Sequence, residues 1–293
     1  MSIRVIQSGL TLFQDQGRKG LTGIGVSNSG AFDSVSYRLA NLLLGLENSP
    51  AFEIVQGVFE IETTKNVVVS IVSNAASYVD NISVSINTSF QLLENQRLKV
   101  EPLDSSPTYL VVAGIEMEPV LGSVSFDTLS SIGPSPVVAG DVFEVMDVSA
   151  SIGSFLSQKQ NYAIDLLHYI PGPEGIDVSG IWSKERVSRI GIRLNREVPV
   201  APGSGNLASF PMMPGAIQVP PSGQPVILAV DSGTTGGYPV AGVVIEADLH
   251  KLARLGNSIT LQPVSLEFAQ AAKTQLEKTI SASVINPTQM GAW

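Results

Sequence analysis

Cysteine is absent from this 293-residue chain, which excludes disulfide bonds, thiolate catalysis and cysteine-based metal sites. Histidine is nearly absent too, since only His168 and His250 occur, and they lie far apart in the sequence. Neither belongs to a spacing that is typical of metal ligands. The sequence therefore predicts no metal site.

Positive charge is also scarce. Lys and Arg number 17 against 26 Asp and Glu, and the formal net charge is −9. No basic cluster offsets this charge, and an acidic chain repels phosphate backbones. We therefore expect no nucleic-acid partner.

Long apolar runs are missing. No segment approaches the roughly 20 apolar residues of a membrane-spanning helix, so no membrane association is expected. Residues 1–5 lack the apolar core of a signal peptide. Together with the lack of cysteine, these features predict a cytoplasmic location.

Apolar residues are abundant, at 44% of the chain, whereas charged residues make up only 15%. The mean hydropathy of +0.25 is high for a chain with no membrane span. Such a balance is typical of β-rich structure or of an apolar surface that lies under a partner protein. We expect the isolated chain to be nearly inactive and to bind a partner through such a surface.

Short strand-like segments occur throughout the sequence, separated by turn residues. We predict strands at 67–72, 82–86, 108–113, 142–145, 164–170, 190–194, 226–230 and 241–245. Turns are predicted at 171–173 and 202–205. Many short strands with few helices indicate a mainly β protein, built as barrels or sandwiches.

Helix signals are few. Asp33 is a candidate N-cap for a helix over 34–44 that ends at Gly45, with Val35, Leu39, Leu42 and Leu43 on its apolar face. Asp248 is a candidate cap for a short turn that ends at Gly256. A last helix is predicted over 264–282, with Ala269, Ala272, Leu276 and Ile280 facing inward.

The polar segment 149–161 has little strand signal and divides the chain into two parts, each with several strands and a small helical element. We predict an N-terminal domain over 1–155, a C-terminal domain over 156–285 and a flexible tail over 286–293. A duplicated barrel would fit this division, although no clean internal repeat is visible in the letters.

The first candidate site combines residues 13–18 with the glycine-rich stretch 23–33. Glycine permits backbone turns that other residues resist. Asp15 and Arg18 can pair with each other, or one of them can meet a substrate amide or carboxylate, with Gln14 beside them. The alternative is a glycine-rich loop with a surface ion pair and a helix cap.

The second candidate site is the loop 231–239, which follows an apolar strand. Backbone N–H groups in such a loop can form an anion-binding nest. The loop brings together one carboxylate, two hydroxyls, glycines and a phenol, contributed by Asp231, Thr234, Thr235, Gly236, Gly237 and Tyr238. A tight glycine-rich turn is the alternative. Residues 214–225 alone indicate only a hairpin.

Other polar residues carry weaker signals. His168 lies in an apolar strand and is expected to be a satisfied or edge histidine, and His250 is expected to be exposed. Arg189 and Arg193 flank residues 190–192 and are expected on a solvated strand face, although they could bind an anion. No Gly-Lys-Ser/Thr loop or Gly-x-Ser-x-Gly elbow occurs.

Several motifs resemble a known family. They are residues 11–18, the stretch 25–33, the helix 38–45, Leu-Gly-Ser at 121–123, and above all 214–239 with Gly-Ala-Ile-Gln-Val-Pro-Pro and Thr-Thr-Gly-Gly-Tyr-Pro. The family comprises the 5-oxoprolinase C subunit, the KipA antagonist of a histidine-kinase inhibitor, and the second allophanate-hydrolase-type subunit of biotin-dependent carboxyltransferases. Departures include Ser27 where the family has Pro, and Ser232-Gly233 where it has Arg-Gln.

The resemblance implies two cyclophilin-like β-barrel domains. It implies a subunit of an ATP-dependent 5-oxoprolinase that opens 5-oxo-L-proline to L-glutamate together with a KipI-like B subunit and an A subunit. ATP would act in the complex. On this basis Asp231, Asp15 and Arg18 are candidate catalytic residues, and the candidate substrate-binding residues are Gln14, Gln218, Thr234, Thr235, Gly236, Gly237 and Tyr238.

Two other functions stay open. One is a carboxyltransferase subunit of a urea- or allophanate-type carboxylase, for which biotin would arrive on another protein because this chain has no Met-Lys-Met carrier motif. The other is a non-catalytic regulator that relieves a histidine-kinase inhibitor.

Overall fold

The computed structural model describes residues 2–157, 164–201 and 207–287. Across these residues the protein is mainly β, which confirms the predicted fold class. The predicted turn at 202–205 lies outside the described residues, as does the predicted tail from residue 288 onward. The domain boundary at 155 stays a prediction.

The first lobe, residues 2–157, contains twelve strands in the described structure. They are β1 (Ser2–Gln7), β2 (Leu10–Gln14), β3 (Ala51–Gln56), β4 (Phe59–Thr63), β5 (Val67–Val72), β6 (Ala75–Val79), β7 (Ile82–Val84), β8 (Thr88–Leu92), β9 (Arg97–Pro102), β10 (Thr108–Val112), β11 (Val142–Glu144) and β12 (Phe155–Leu156). A six-stranded sheet has the order β11-β1-β4-β9-β6-β7. A seven-stranded sheet has the order β2-β3-β10-β5-β8-β12 and ends on the last strand of the chain, β22 (Val284–Ile285).

The second lobe, residues 164–263, is a closed barrel with a small ribbon beside it. Its strands are β13 (Ile164–Pro171), β14 (Gly180–Val187), β15 (Gly191–Asn195), β16 (Phe210–Pro211), β17 (Ala216–Gln218), β18 (Val226–Leu228), β19 (Thr235–Gly236), β20 (Val240–Val244) and β21 (Leu255–Pro263). The barrel has the order β13-β20-β17-β18-β15-β14-β21, and β16 and β19 form the two-stranded ribbon.

Each lobe has its own apolar core. In the first lobe, alternation along β4 places Phe59 and Ile61 in the core while Glu60 and Glu62 stay partly exposed. In the second lobe the core surrounds Trp182, whose indole N–H donates to Val178 O at 2.8 Å. Phe32 of the first lobe also belongs to this second core, so its side chain ties the lobes together.

Helix α1 (Ser34–Leu43) confirms the helix predicted behind Asp33. The Asp33 carboxylate accepts a hydrogen bond from the Ser36 N–H at 3.0 Å, as an N-cap does. Val35, Leu39 and Leu43 are buried against the seven-stranded sheet, and Leu42 is half-buried.

Helix α2 (Leu266–Ser283) begins at the N-cap Ser265 and leads into β22. Its inward face is the predicted one, with Ile280 buried and the other three predicted residues half-buried. Because β22 pairs with β12, the chain returns from the barrel to the first lobe. Helix α2 is therefore a strap that spans both lobes.

Two local predictions are wrong. The strand predicted over 82–86 ends at Val84 and lies at the edge of its sheet, where Ile82 is exposed. The turn expected behind Asp248 is a 3₁₀ helix (Glu246–Arg254) that begins before this residue. The Asp248 carboxylate accepts from the His168 backbone N–H instead, at 2.8 Å. Among the described residues, no helix is long and apolar enough to cross a membrane.

Candidate functional site

Arg189 is the centre of the contact between the lobes. Its Nε and Nη2 donate to the two carboxylate oxygens of Asp231, at 2.8 and 2.9 Å, and its Nη1 donates to Glu53 Oε1 at 2.6 Å. Nη2 also donates to Gly30 O at 2.6 Å. Burial alone would lower the pKa of Arg189, but the carboxylates of Glu53 and Asp231 outweigh it and raise that pKa. The expectation of a solvated Arg189 is therefore wrong, whereas Arg193 is exposed.

Asp231 is fully buried and is bound by protein groups. Besides Arg189, it accepts from Ser29 Oγ at 2.7 Å, and from the N–H and Oγ1 of Thr128 at 2.9 and 2.8 Å. We call Ser29, Glu53, Thr128, Arg189 and Asp231 the lobe-joining cluster. These contacts all join Asp231 to other parts of the protein, and they indicate a structural role. Its predicted catalytic role stays a prediction.

A second buried ion pair supports the same interface. Arg254 of the barrel pairs with Asp33, the cap of helix α1, and also donates to Ser36 Oγ. The Tyr109 hydroxyl donates to Glu53 Oε2 at 2.6 Å and accepts from the Asp33 N–H at 2.8 Å. Tyr109 thus connects this pair to the lobe-joining cluster.

Asp15 and Arg18 bind the loop 118–133 rather than each other. Asp15 accepts from the hydroxyls of Ser123 and Ser125, both at 2.6 Å, and from the Val124 N–H at 2.9 Å. Arg18 donates to backbone oxygens of the same loop, including Val120 O at 3.1 Å. Both side chains are buried, so they hold this loop in place. Their predicted catalytic roles stay predictions.

Gln14 lies beside them and is fully buried. Its Nε2 donates to Phe126 O at 3.1 Å, whereas its Oε1 has no hydrogen-bond partner among the described residues. The Nη1 of Arg18 is likewise without a partner in the described part of the chain. Burial lowers the pKa of Arg18, although nearby carboxylates, Asp15 first among them, oppose this.

The other predicted substrate-binding residues meet at a separate place, beside the barrel. Thr235 and Gly236 form β19 and pair with β16, and Gln218 Nε2 lies 3.6 Å from Met212 Sδ near Gly236. The Tyr238 side chain is 43% exposed. An apolar cleft of about 320 Å³ adjoins them, lined by Pro173, Glu174, Phe210, Pro211, Met212, Met213, Ala216, Val240 and Val243.

The predicted residues therefore form two groups. Gln14, Asp15 and Arg18 lie under the loop 118–133, and residues 234–238 lie with Gln218 beside the barrel. Asp231 begins the second group in sequence, but its side chain faces the first lobe.

A cavity of about 560 Å³ lies between the lobes. It is lined by the glycine-rich motif, the first turn of helix α1 and the 3₁₀ helix of the barrel. The lining residues are Asp15, Gln16, Lys19, Asn28, Ser29, Gly30, Ala31, Phe32, Ser34, Tyr37, Arg38, Pro214, Val230, Glu246, Leu249, His250 and Glu277. We call it the inter-lobe cavity.

Two side chains in this lining have an enclosed polar atom without a partner among the described residues, Asn28 through Oδ1 and His250 through Nδ1. His250 is half-buried, so the expectation of an exposed histidine is wrong. Burial lowers its pKa, only partly opposed by Asp33, so the ring is neutral near pH 7. Asn28 belongs to a motif that the sequence singled out, but no sequence signal marked His250.

His168 differs from His250. Its Nδ1 lies 2.8 Å from Asp248 Oδ2, and its ring lies 5.0 Å from that of Phe268 on helix α2. This agrees with the expectation of a satisfied histidine.

Comparison with known proteins finds similarity to a carboxyltransferase domain and to 5-oxoprolinase C subunits. The family model described as "Carboxyltransferase domain, subdomain A and B" matches residues 24–263. The 5-oxoprolinase C subunit of Escherichia coli is 31% identical, with 94% of this chain and 96% of the relative covered. The urea amidolyase of Saccharomyces cerevisiae is 28% identical over 93% of this chain but only 17% of its own length.

Solved structures agree. The structure of TTHA0988 matches with a TM-score of 0.80 and 29% identity, over 90% of this chain and 55% of that one. The urea amidolyase of K. lactis matches with a TM-score of 0.83 over 95% of this chain and 20% of that one, at 24% identity. At this identity the second match shows the fold alone.

Proposed function

The chain belongs to the carboxyltransferase-domain family, and we propose that it is the C-type subunit of a complex that opens 5-oxo-L-proline to L-glutamate with hydrolysis of ATP. The observation that carries the proposal is the similarity to the E. coli 5-oxoprolinase C subunit, which covers nearly the whole of both chains. The corresponding H. influenzae protein supports it in the same way, with 31% identity over 91% of this chain.

The reaction explains why a complex is needed. A lactam carbonyl is a poor electrophile, and transfer of the ATP γ-phosphoryl group to its oxygen makes the carbon open to attack by water. Ring opening and loss of phosphate then yield glutamate, ADP and inorganic phosphate. In this proposal ATP, the KipI-like B subunit and the A subunit act in the assembled cytoplasmic complex, and this chain positions the lactam.

The inter-lobe cavity suits that task, since it is open to a small polar molecule and offers groups from both lobes. In this proposal Asp15, Arg18 and Asp231 support the walls of the cavity. Asp15 and Arg18 hold the loop 118–133, and Asp231 holds the lobes at their mutual distance.

Exposed apolar residues support the proposed need for partners. Val142 and Met146 are each more than half exposed, and both lie at or next to β11, an edge strand. An exposed edge with apolar neighbours is a surface on which another protein can pack.

Co-expression with B and A subunits tests the proposal. We expect ADP release that depends on 5-oxoproline in the assembled complex, and almost none from this chain alone. A complex that assembles but releases ADP at the same rate with and without 5-oxoproline would contradict the proposal.

A carboxyltransferase function is the second candidate, favoured by the family model and by the amidolyase match across 93% of this chain. It predicts transfer of a carboxyl group from carboxybiotin on another protein to urea or a related amide. Urea-dependent consumption of carboxybiotin, without a response to 5-oxoproline, would favour it.

A further inference from the structure

Helix α1 turns one polar face toward the inter-lobe cavity. Ser34, Tyr37 and Arg38 all line the cavity, and residues three and four positions apart lie on the same side of a helix. The Arg38 side chain is 34% exposed, so a molecule in the cavity can reach its guanidinium group. Among the described residues that line the cavity, Lys19 and Arg38 are the two that carry a positive charge.

A carboxylate of the chain itself is bound at this guanidinium group. Glu277 of helix α2 lines the same cavity, and its Oε1 and Oε2 accept from the Nη1 and Nη2 of Arg38 at 2.8 and 2.7 Å. Two parallel hydrogen bonds of this kind are how arginine recognises a carboxylate. We propose that Arg38 binds the carboxylate of the lactam substrate, and that Glu277 occupies Arg38 until the substrate displaces it. This inference rests on the proposed function and names one substrate contact and its competitor within the chain.

The pair of Arg38 and Glu277 is suited to exchange. The Glu277 side chain is 48% exposed, and an ion pair that water can reach contributes little to stability. The hydrogen bonds from Arg38 lower the pKa of Glu277, so Glu277 is ionised near pH 7 and competes as a carboxylate. A substrate carboxylate can accept from the same two nitrogen atoms while Glu277 becomes hydrated, which leaves the number of ion pairs unchanged.

Helix α2 can stay in place when Glu277 is displaced. One turn earlier, Lys273 pairs with Glu246 of the 3₁₀ helix at 2.7 Å, and Ile280 is buried in the core of the first lobe. Strand β22 also stays paired with β12. Rotation of the Glu277 side chain therefore frees Arg38 without a movement of the cavity walls.

The other charged groups of the cavity wall are less suited to hold a carboxylate. Asp15 and Glu246 would repel it. Lys19 is exposed, and its ammonium group is a point charge on a flexible stem, so it attracts an anion without fixing its orientation. Arg38 has a planar group that matches both oxygens of a carboxylate, and it therefore determines how the ligand is oriented.

Two ligands test the role of Arg38. Equilibrium binding to the full chain would be measured by calorimetry with 5-oxo-L-proline and with 2-pyrrolidinone, which has the same lactam ring but no carboxylate. We expect 5-oxoproline to bind at least about 10-fold more tightly, the range for hydrogen bonds to a charged group. In Arg38→Gln this preference should shrink to about 3-fold or less. In the assembled complex the same variant should raise KM for 5-oxoproline and leave KM for ATP unchanged.

Glu277→Gln tests the competition. A neutral amide binds Arg38 less well than a carboxylate, so this variant should bind 5-oxoproline about 2- to 5-fold more tightly and 2-pyrrolidinone as before. Loss of a merely structural contact would not tighten binding. Glu62→Gln is the matched control, because it makes the same change of charge in an exposed pair with Arg97 that does not line the cavity, and both affinities should stay unchanged.

The double variant Arg38→Gln/Glu277→Gln shows whether Glu277 acts through Arg38. The gain from Glu277→Gln should disappear when Arg38 is already replaced. A gain that persists would mean that Glu277 acts only as a negative charge near the ligand, and it would overturn the inference. The inference is also overturned if Lys19→Gln, and not Arg38→Gln, removes the preference for 5-oxoproline.

The outcomes separate this inference from the proposed function. If the complex responds to 5-oxoproline but Arg38→Gln leaves its affinity and KM unchanged, the inference is overturned and the proposed function stands. If binding of 5-oxoproline depends on Arg38 but the complex releases no ADP in response to it, carboxylate recognition stands and the proposed function fails. If neither ligand binds the full chain, the inference is overturned.

Discussion

The lobe-joining cluster and the inter-lobe cavity lie in the same interface but differ in how many hydrogen-bond partners their polar groups have. In the cluster, Asp231 and Arg189 are buried and have several partners each. In the cavity wall, Asn28 and His250 each carry an enclosed atom that no described residue binds. Charge and burial alone therefore do not identify a functional group.

Loss of Asp231 should have the largest effect. In Asp231→Ala, Arg189 stays buried with only one of its two carboxylate partners, and we expect the free energy of unfolding to fall by about 3–5 kcal/mol. Chemical denaturation measures this change. Lys273→Ala is the control, since its pair with Glu246 leaves both side chains more than half exposed and no measurable change is expected.

The competing outcome for Asp231 is a variant that keeps its stability but loses turnover in the complex. That result would show that Asp231 acts in turnover and not in joining the lobes, and it would support its predicted catalytic role.

Gly17→Ala should come next, with Gly25→Ala as its control. Both glycines have a positive φ, 80° and 87°, which costs an alanine about 1–2 kcal/mol. At Gly25 the added Cβ meets nothing within 4 Å, whereas at Gly17 it collides with backbone of Asn28 and Ser29. We expect thermal denaturation to show a clearly larger fall in melting temperature for Gly17→Ala than for Gly25→Ala. An equal fall in melting temperature in both variants would contradict the close packing of Gly17 against the backbone of Asn28 and Ser29.

His250 should make stability depend on pH. Because burial holds its pKa below 6.5, the unfolded chain binds a proton more readily than the folded one. The contribution of His250 to the free energy of unfolding is therefore complete above about pH 6.5 and is lost as the pH falls below that value. Denaturation at a series of pH values should show a flatter dependence for His250→Leu between about pH 6.5 and 5, and identical curves would mean that the ring is solvated.

The smallest effect is expected at the strap. Helix α2 reaches helix α1 through a bidentate pair of Arg38 and Glu277, at 2.8 and 2.7 Å, but both side chains are substantially exposed. Glu277→Gln should therefore lower the free energy of unfolding by well under about 1 kcal/mol at low salt, and by less in high salt. A large loss that salt does not reduce would indicate that the strap closes the cavity by a buried contact.

Strands with a strong local pattern were predictable. The apolar run of β5 and the cap, face and end of helix α1 occur where the sequence places them. Several strands were not predicted, among them β1, β4 and β14. In β14 six of the eight residues are exposed, so its apolar pattern is weak. The same reason explains the shortened β7, whose alternating residues have no second sheet to cover them.

The candidate site was predictable only in part. The motifs that contain Asp15, Asn28 and the 231–239 loop stand out through glycines and polar residues, and all three reach the interface between the lobes. Which of their side chains have hydrogen-bond partners could not be read from the motifs. The catalytic role predicted for Asp231 stays a prediction, whereas the exposed position predicted for His250 is wrong.

Residue order alone was enough to predict the mainly β class, the family, helix α1 and several strands, because strand alternation, helix capping and turns depend on residues a few positions apart. Which polar groups are paired became visible only in the folded chain. Arg189 meets Glu53 across 136 positions and Ser29 meets Asp231 across 202. Whether these side chains find hydrogen-bond partners therefore depends on how the lobes pack.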